Sequence, residues 1–256
     1  MTTFRIATIN VHSFRKPLTV SSNTLELVSI LEPLNLDVIA VQEMQNNDRW
    51  MEFYQRLSLS FTAYGPLYGT FCNGIASRYP IRCYDVKKTT FLGEGGYRSM
   101  LRCCLNGIDN VTFAVTHLDY INEDDRIKQM KEFNPYQQNI DIIMGDMNAL
   151  TREDYSDDYY RDIIVDKREK SCWESPRFDL TRLITHDWNY QDAFKKLNTT
   201  LNNEQIITCR YGTRIDYIYT HPRLNDHWHL TKCSIIDTKG ATDHNAVFAE
   251  FTQVSK

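Results

Sequence analysis

The chain has 256 residues, 29 basic against 33 acidic side chains and a formal charge of −4, with a mean hydropathy of −0.47. An aromatic content of 12% excludes a disordered chain, and 10 Gly with 7 Pro exclude a low-complexity one. No apolar run approaches the roughly 20 residues of a bilayer span, and the slight acidic excess argues against a general nucleic-acid coat while leaving room for a local basic cleft.

The amino terminus, Met-Thr-Thr-Phe-Arg-Ile-Ala-Thr-Ile-Asn, shows no basic segment followed by an apolar stretch. The expectation is a cytoplasmic protein that is not secreted, with the nucleus as an alternative site. The seven Cys are odd in number and form no CxxC or paired Cys/His spacing, the pattern of reduced thiols rather than of a disulfide frame or zinc site. Asn110-Val-Thr and Asn198-Thr-Thr match the glycosylation pattern and are read as chance. With no repeat period and no linker, residues 1–256 are read as one domain.

In chain order, β-branched and aromatic runs predict strands over Phe4–Ile9, Asp37–Val41, Gly74–Ser77, Ser99–Leu105, Val111–Val115, Ile140–Met144, Thr213–Tyr219 and Ala246–Phe251. Helical spacing occurs at Leu27/Val28/Leu31/Leu34, behind Asn23 or Thr24 as a cap, at Trp50/Phe53/Tyr54/Leu57, at Ile127/Met130/Phe133 and, less regularly, at Leu180/Leu183/Ile184. Many strands with interspersed helices point to packed sheets covered by helices. Alternation puts Cys103 and Cys104 on opposite faces, and Tyr217 and Tyr219 together opposite Ile218. The charged, tyrosine-rich stretch at 153–170 is read as a solvated surface segment, with a substrate-facing loop as the alternative. Trp50, Trp173 and Trp188 are read as packing residues, with stacking on bases or capping a lipid pocket as the alternative, Gly93-Glu-Gly-Gly96 as a hairpin loop, and Arg98 either as a phosphate contact or as strand-edge polarity.

The informative pattern is where polar residues interrupt the apolar runs. The first strand ends in Asn10, the second in Gln42-Glu43, and Val111–Val115 runs into Thr116-His117. Ile-Asp-Ile-Ile-Met ends in Gly145-Asp146-Met147-Asn148, Asp216 lies in a strand, and Asp243-His244 precedes the last one. Glu43 and Asn10 are oxygen donors of the kind a hard cation such as Mg²⁺ takes. Asn148, His117 and His244 are donors suited to a phosphate, Asp146 to orienting or deprotonating a water, and Asp216 with His244 to a carboxylate–imidazole pair. In an extended segment, Asp146 and Asn148 share a face. Each piece alone has a bland reading as turn or cap chemistry; the conjunction of all of them does not.

Taken together, Ile9-Asn10, Val41-Gln42-Glu43, Gly74-Ile-Ala-Ser-Arg-Tyr-Pro80-Ile, Thr116-His117-Leu, Gly145-Asp146-Met-Asn148, Arg214-Ile-Asp216-Tyr-Ile and Thr242-Asp243-His244 resemble the endonuclease/exonuclease/phosphatase (DNase I-like) superfamily, in its order and over nearly the whole chain. The resemblance implies an α/β fold: a four-layered α/β sandwich of two packed, mainly antiparallel sheets flanked by helices. It implies a phosphoester hydrolase using Mg²⁺ (or Mn²⁺), held chiefly by Glu43 with Asn10 and with Asp243 close by. His117 would contact the phosphate, Asp146 and Asn148 would handle the water and the transition state, and Asp216 would support His244, the formal base being either Asp146 or His244. Arg126 and Gln129 match the family's Arg-x-x-Gln and are read as structural. Apurinic endonucleases and tyrosyl-DNA phosphodiesterases of the family carry Asp two residues after the first Asn, where this chain has His12. Nucleic-acid or nucleotide-type substrates are the leading expectation. The alternatives are a small phosphorylated metabolite or lipid headgroup, or a non-catalytic binding protein that keeps the fold. No membrane span and no obligate protein partner are expected.

Overall fold

The computed structural model describes residues 2–19, 21–66, 71–108, 111–200 and 206–254. Its strands are β1 (Thr3–Asn10), β2 (Val38–Met44), β3 (Phe61–Pro66), β4 (Cys72–Ser77), β5 (Ile81–Lys88) and β6 (Ser99–Leu105), followed by β7 (Thr112–His117), β8 (Ile142–Asp146), β9 (Gln191–Asp192), β10 (Asp216–Thr220), β11 (Trp228–Ile236) and β12 (Ala246–Gln253). They form two six-stranded sheets in the orders β11-β12-β1-β2-β4-β3 and β5-β6-β7-β8-β10-β9. Each sheet contains one parallel pair, β1 with β2 and β7 with β8, among antiparallel neighbours.

Period-two alternation builds the layers. In β2, Val38 and Ala40 face the space between the sheets, where they join Phe4, Ile6, Leu101, Phe113, Val115, Ile142, Met144 and Ile218. Ile39 and Val41 face outward and are covered by Leu27, Leu31, Trp50 and Phe53 of helices α1 (Thr24–Leu31) and α2 (Asp48–Arg56). On the other sheet, Ala114, Ile143, Tyr217 and Tyr219 are covered by Met130 and Phe133 of α3 (Glu123–Phe133) and by Leu180 and Ile184 of the helical stretch 179–187. Strands buried on both faces are apolar on both, as these are. The result is the expected four-layered sandwich, helices outside and two sheets within.

The eight strands expected from the sequence all occur, with ends displaced by a few residues; the run at 140–144 is strand over Ile142–Asp146, so Asp146 closes the strand itself. Tyr217 and Tyr219 share a face and stack at 5.0 Å, while Ile218 points into the inter-sheet core. Gly93 and Gly96 bridge across a hairpin turn, with Gly96 at φ 97. Asn23 precedes α1 but does not cap it with its side chain; its Nδ2 instead donates to the carbonyls of Val11, Arg15 and Ala241. Asn110 lies outside the described residues, and the Asn198 amide is taken up by the carbonyls of Phe194 and Cys233. Among the described residues, no helix is long and apolar enough to cross a membrane.

Candidate active site

Strand direction brings the polar residues to one edge. β1 and β2 run parallel and leave Asn10 and Glu43 at their carboxyl ends. β7 and β8 do the same with His117 and Asp146, which are in register. β10 is antiparallel to β8, so its first residue, Asp216, lies opposite Asp146. β12 is antiparallel to β1, so Asp243 and His244, just before it, enter where Asn10 leaves.

Local backbone shape sharpens this. A Cβ on Gly145 would lie 1.9 Å from the Thr116 carbonyl oxygen, and its φ is +144. Only glycine lets β8 lie this close to β7 beside His117 and Asp146. Glu43 sits at φ 54 within a bulge of β2 against β4, and His12 at φ 48 in a left-handed turn. Asn148 is not extended, contrary to the shared-face expectation. At φ 49 it turns back, so that its backbone N–H donates to Asp146 Oδ1 at 3.0 Å, and its Nδ2 donates to the Leu118 carbonyl at 3.1 Å.

Asp216, fully buried, accepts from His244 Nδ1 at 2.9 Å. His244 Nε2 lies 3.8 Å from Asp146 Oδ2, and His117 Nε2 lies 3.5 Å from the same oxygen. Asn10 Nδ2 donates to Asp146 Oδ2 at 3.1 Å and to Glu43 Oε1 at 3.0 Å, while its Oδ1 accepts from the His12 N–H. His12 Nδ1 stands 3.8 Å from Glu43 and 3.6 Å from Asp243. All eight expected site residues therefore meet in one chain of contacts, with His12 as a ninth member at the rim. Ligand atoms of Asp146, Asp216 and His244 lie within 4.8 Å of one another, a buried group that could hold a metal.

The charges divide the site. Burial opposes a charged His244, but the carboxylates of Asp216 and Asp146 outweigh it and hold the ring's pKa well above 6.5. On His117 burial also opposes the charged form, and here the positive Arg98 and His244 add to it, so the pKa falls well below 6.5 and that ring is neutral. Burial and then the charge of Asp216 raise Asp146 from 3.8 to about 7, against the pull of His244 and its hydrogen bonds from Asn10 and Asn148. Arg98, which the sequence left between two readings, sits in the field of Asp119, Asp146 and Glu43; burial lowers its pKa and its Nε is a buried donor without a partner.

Several contributors were missed or misread. The 153–170 stretch is not simply a solvated surface segment: residues 157–170 are helical, Ile164 is buried, and Ile164, Lys167 and Arg168 line a pocket of about 440 Å³ that also touches Asn148, Asp243 and His244. The alternation of charges was legible, but not the apolar face beneath it. Trp173 is likewise no packing residue, being 43% exposed on the pocket wall, whereas Trp50 is buried. Arg214 is fully buried and bonds Asp154 through Nε at 2.7 Å and Asp192 through Nη2 at 2.6 Å, anchoring the chain two residues before Asp216. Stripping one partner from such a buried pair costs about 3–5 kcal/mol. Arg126 and Gln129 are structural, as expected. Arg126 pairs with Glu123 and Glu174, and the Gln129 side-chain oxygen accepts from the Asp119 N–H.

The comparisons agree with this geometry. The model of the endonuclease/exonuclease/phosphatase family matches residues 7–244, and the chain belongs to that family. Solved structures with the same fold include the catalytic domain of human nocturnin with bound sulfate, 15% identical, covering 98% of this chain and 95% of that one with a TM-score of 0.70. An AP endonuclease from Archaeoglobus fulgidus is 19% identical over 96% of this chain and 98% of its own, at 0.67. TDP2 from D. rerio, solved with a single-strand DNA product, is 14% identical over 98% and 100%, at 0.66. The sequence matches no curated protein.

Proposed function

We propose that this protein is a divalent-metal-dependent phosphoester hydrolase, using Mg²⁺ or Mn²⁺, that acts on nucleic acid or nucleotide-type phosphodiesters. The observation that carries the reading is the unbroken contact chain from Asp216 through His244, Asp146 and Asn10 to Glu43. A scaffold that had lost its chemistry would have no need of a buried carboxylate–imidazole pair aimed at a second buried carboxylate, and such mutually perturbed buried groups cluster at functional sites.

Glu43, Asp243 and the Asn10 amide would hold the cation. The donor set fits: Glu43 and Asp146 converge on one neutral amide nitrogen, and Glu43 with Asp243 on one imidazole, leaving acidic oxygens in excess at a partly open rim. When bound, the metal would draw charge from the phosphate oxygens. The chain's own groups divide the rest. Asp216 orients the His244 ring and keeps it cationic, which suits it to face a phosphate oxygen. His117, neutral, offers an N–H. Asp146, with a pKa about 7, can hold and accept the proton of a water at neutral pH, and Asn148 keeps that carboxylate in place through its backbone N–H.

The test is hydrolysis of a panel with Mg²⁺ or with EDTA, using Asp146→Asn in parallel. The panel holds a generic diester, single- and double-stranded DNA, RNA, sphingomyelin and inositol phosphates. Metal-dependent turnover of a nucleic acid, abolished in the variant, is expected. Turnover that survives EDTA would rule out the assignment, and turnover of the lipid or inositol substrates alone would replace the substrate class.

A further inference from the structure

The pocket of about 440 Å³ opens directly beside Asn148, Asp243 and His244, and the reaction as proposed leaves most of its wall without a task. Its size falls within the range of roughly 300–1,000 Å³ typical of small-ligand sites. Two properties of that wall specify a ligand.

The first is aromatic. Trp173 and Tyr211 meet edge to face with centroids 4.9 Å apart, and both line the pocket, as does Tyr120, 66% exposed. Trp173, 43% exposed, and Tyr120 leave ring surface to water where a planar group can cover it, whereas Tyr211 is half-buried with Lys167 and Arg210 over its ring. The second is charge without counter-charge. Lys167 Nζ donates to the Tyr211 carbonyl at 3.2 Å and lies over that ring. Arg168 Nη1 donates to the Glu174 carbonyl at 3.1 Å. Neither forms an ion pair with a carboxylate among the described residues. The Glu174 carboxylate is already committed to Arg126 and to the Glu123 N–H. Arg168 is half-buried; burial and the like charge of Arg126 lower its pKa against the weaker pull of Glu123, and an anion in the pocket would offset both.

We propose that this pocket seats a nucleotidyl unit, its base on Trp173 and its own phosphate on Lys167 and Arg168, while the reacting phosphate lies at His244 and Asn148. This rests on the phosphoester-hydrolase reading and adds to it the group the enzyme selects. A sugar phosphate would leave the rings uncovered, and a neutral aromatic would leave the two cations unpaired. A free nucleotide and the end of a nucleic-acid chain share the required chemistry.

The experiment is isothermal titration calorimetry in EDTA, where no turnover occurs, with adenosine 3′,5′-bisphosphate as probe and adenosine and ribose 5-phosphate as controls. The bisphosphate should bind at least tenfold tighter than either control. Arg168→Met and Trp173→Ala should each weaken it at least tenfold, and Trp173→Phe should restore it. If either control binds within tenfold of the bisphosphate, the inference is wrong, and that comparison in the unaltered protein stands whether or not a variant folds. If both folded variants bind within tenfold of wild type, the inference is equally wrong. Competition with a 5′-phosphorylated trinucleotide separates the sources: stronger displacement than by the bisphosphate assigns the pocket to a chain end, weaker displacement to a free nucleotide. Mg²⁺-dependent cleavage of bis(p-nitrophenyl) phosphate, compared between wild type and Asp146→Asn, reports on the hydrolase reading separately. Cleavage without ligand selectivity removes only the pocket inference; selectivity without cleavage removes the hydrolase reading, and with it the reacting phosphate, and leaves a nucleotide-binding pocket alone.

Discussion

The two halves of the candidate site are built on opposite plans. Asp216, His244 and Asp146 are almost wholly buried; Asp216 holds His244 by a 2.9 Å hydrogen bond, and Asn10 holds Asp146 at 3.1 Å. His12, Glu43 and Asp243 face the rim, their side chains 40%, 28% and 14% exposed, and stand 3.6–3.8 Å apart without closing a strong hydrogen bond. In the buried half, low dielectric makes each charge depend on its neighbour, so protonation states and positions are set before any substrate arrives. In the open half, groups remain solvated and free to exchange water for a cation or a phosphate. Acid–base work belongs where geometry is fixed, and exchangeable ligands belong where access is free.

If that division holds, the largest effect comes from the buried half. His244→Ala and Asp146→Asn should each lower kcat on a generic phosphodiester by about 10²–10⁴, the range for removing a positioned acid or base, with the circular dichroism spectrum unchanged and no recovery on adding metal. A loss smaller than tenfold in both would erase the distinction between the halves. Glu43→Gln tests the other half, and the effect should have a different form. Apparent Mg²⁺ affinity should weaken by on the order of 10–100-fold, with activity largely regained at saturating Mg²⁺. A kcat defect that no concentration of metal repairs would place Glu43 with the buried group instead.

The same contrast between buried and open explains what the sequence could disclose. The strands it revealed, β1, β2, β4, β6, β7, β8, β10 and β12, all lie inside the sheets, where both faces must be apolar. The ones it hid, β3, β5, β9 and β11, are the edges. β5 reads Ile-Arg-Cys-Tyr-Asp-Val-Lys-Lys and is mostly exposed, so no hydrophobic period marks it; charged edges also discourage pairing with other chains. Asn10, Glu43, His117, Asp146 and Asp216 were legible because polar residues at the ends of apolar strands stand out. The 153–170 stretch with Lys167 and Arg168, and Trp173, were legible only as alternatives, and their conjunction with Tyr211 was not, because the pocket joins segments some 40 residues apart in the chain and nothing in either segment's pattern refers to the other. Arg214 stood in a recognised motif, yet its partners Asp154 and Asp192 lie 60 and 22 positions away.

His12 offers a milder probe of the rim. An imidazole between two carboxylates is a poor ligand for Mg²⁺ and a better one for Mn²⁺. His12→Asp replaces it with an oxygen donor, and Asp is among the residues that tolerate φ near 48. Calorimetric titration should show Mg²⁺ binding tightened by about threefold to tenfold and the preference for Mn²⁺ reduced. Unchanged affinities for both ions would place the cation away from the His12 side of the rim.

The smallest effect concerns stability rather than turnover, and its sign tests the buried half. In the metal-free protein, Asp146 has its pKa raised from 3.8 to about 7, first by burial and then by Asp216. The folded state therefore binds its proton more tightly than the unfolded chain does. The stability this supplies is fully present below 3.8 and is lost as pH rises through about 7. His244, raised above 6.5, acts in the same direction at higher pH, its contribution being lost as pH passes its folded pKa. Wild type in EDTA should thus melt at progressively lower temperature from pH 5 to pH 8. Asp146→Asn carries no charge to bury, so its Tm relative to wild type should rise by a few degrees across the same interval, at about 2–4 °C per kcal/mol for a chain of this size. If Asp146→Asn follows the wild-type slope, Asp146 gains no proton on folding, and the buried half is not held together by the charge balance that its geometry implies.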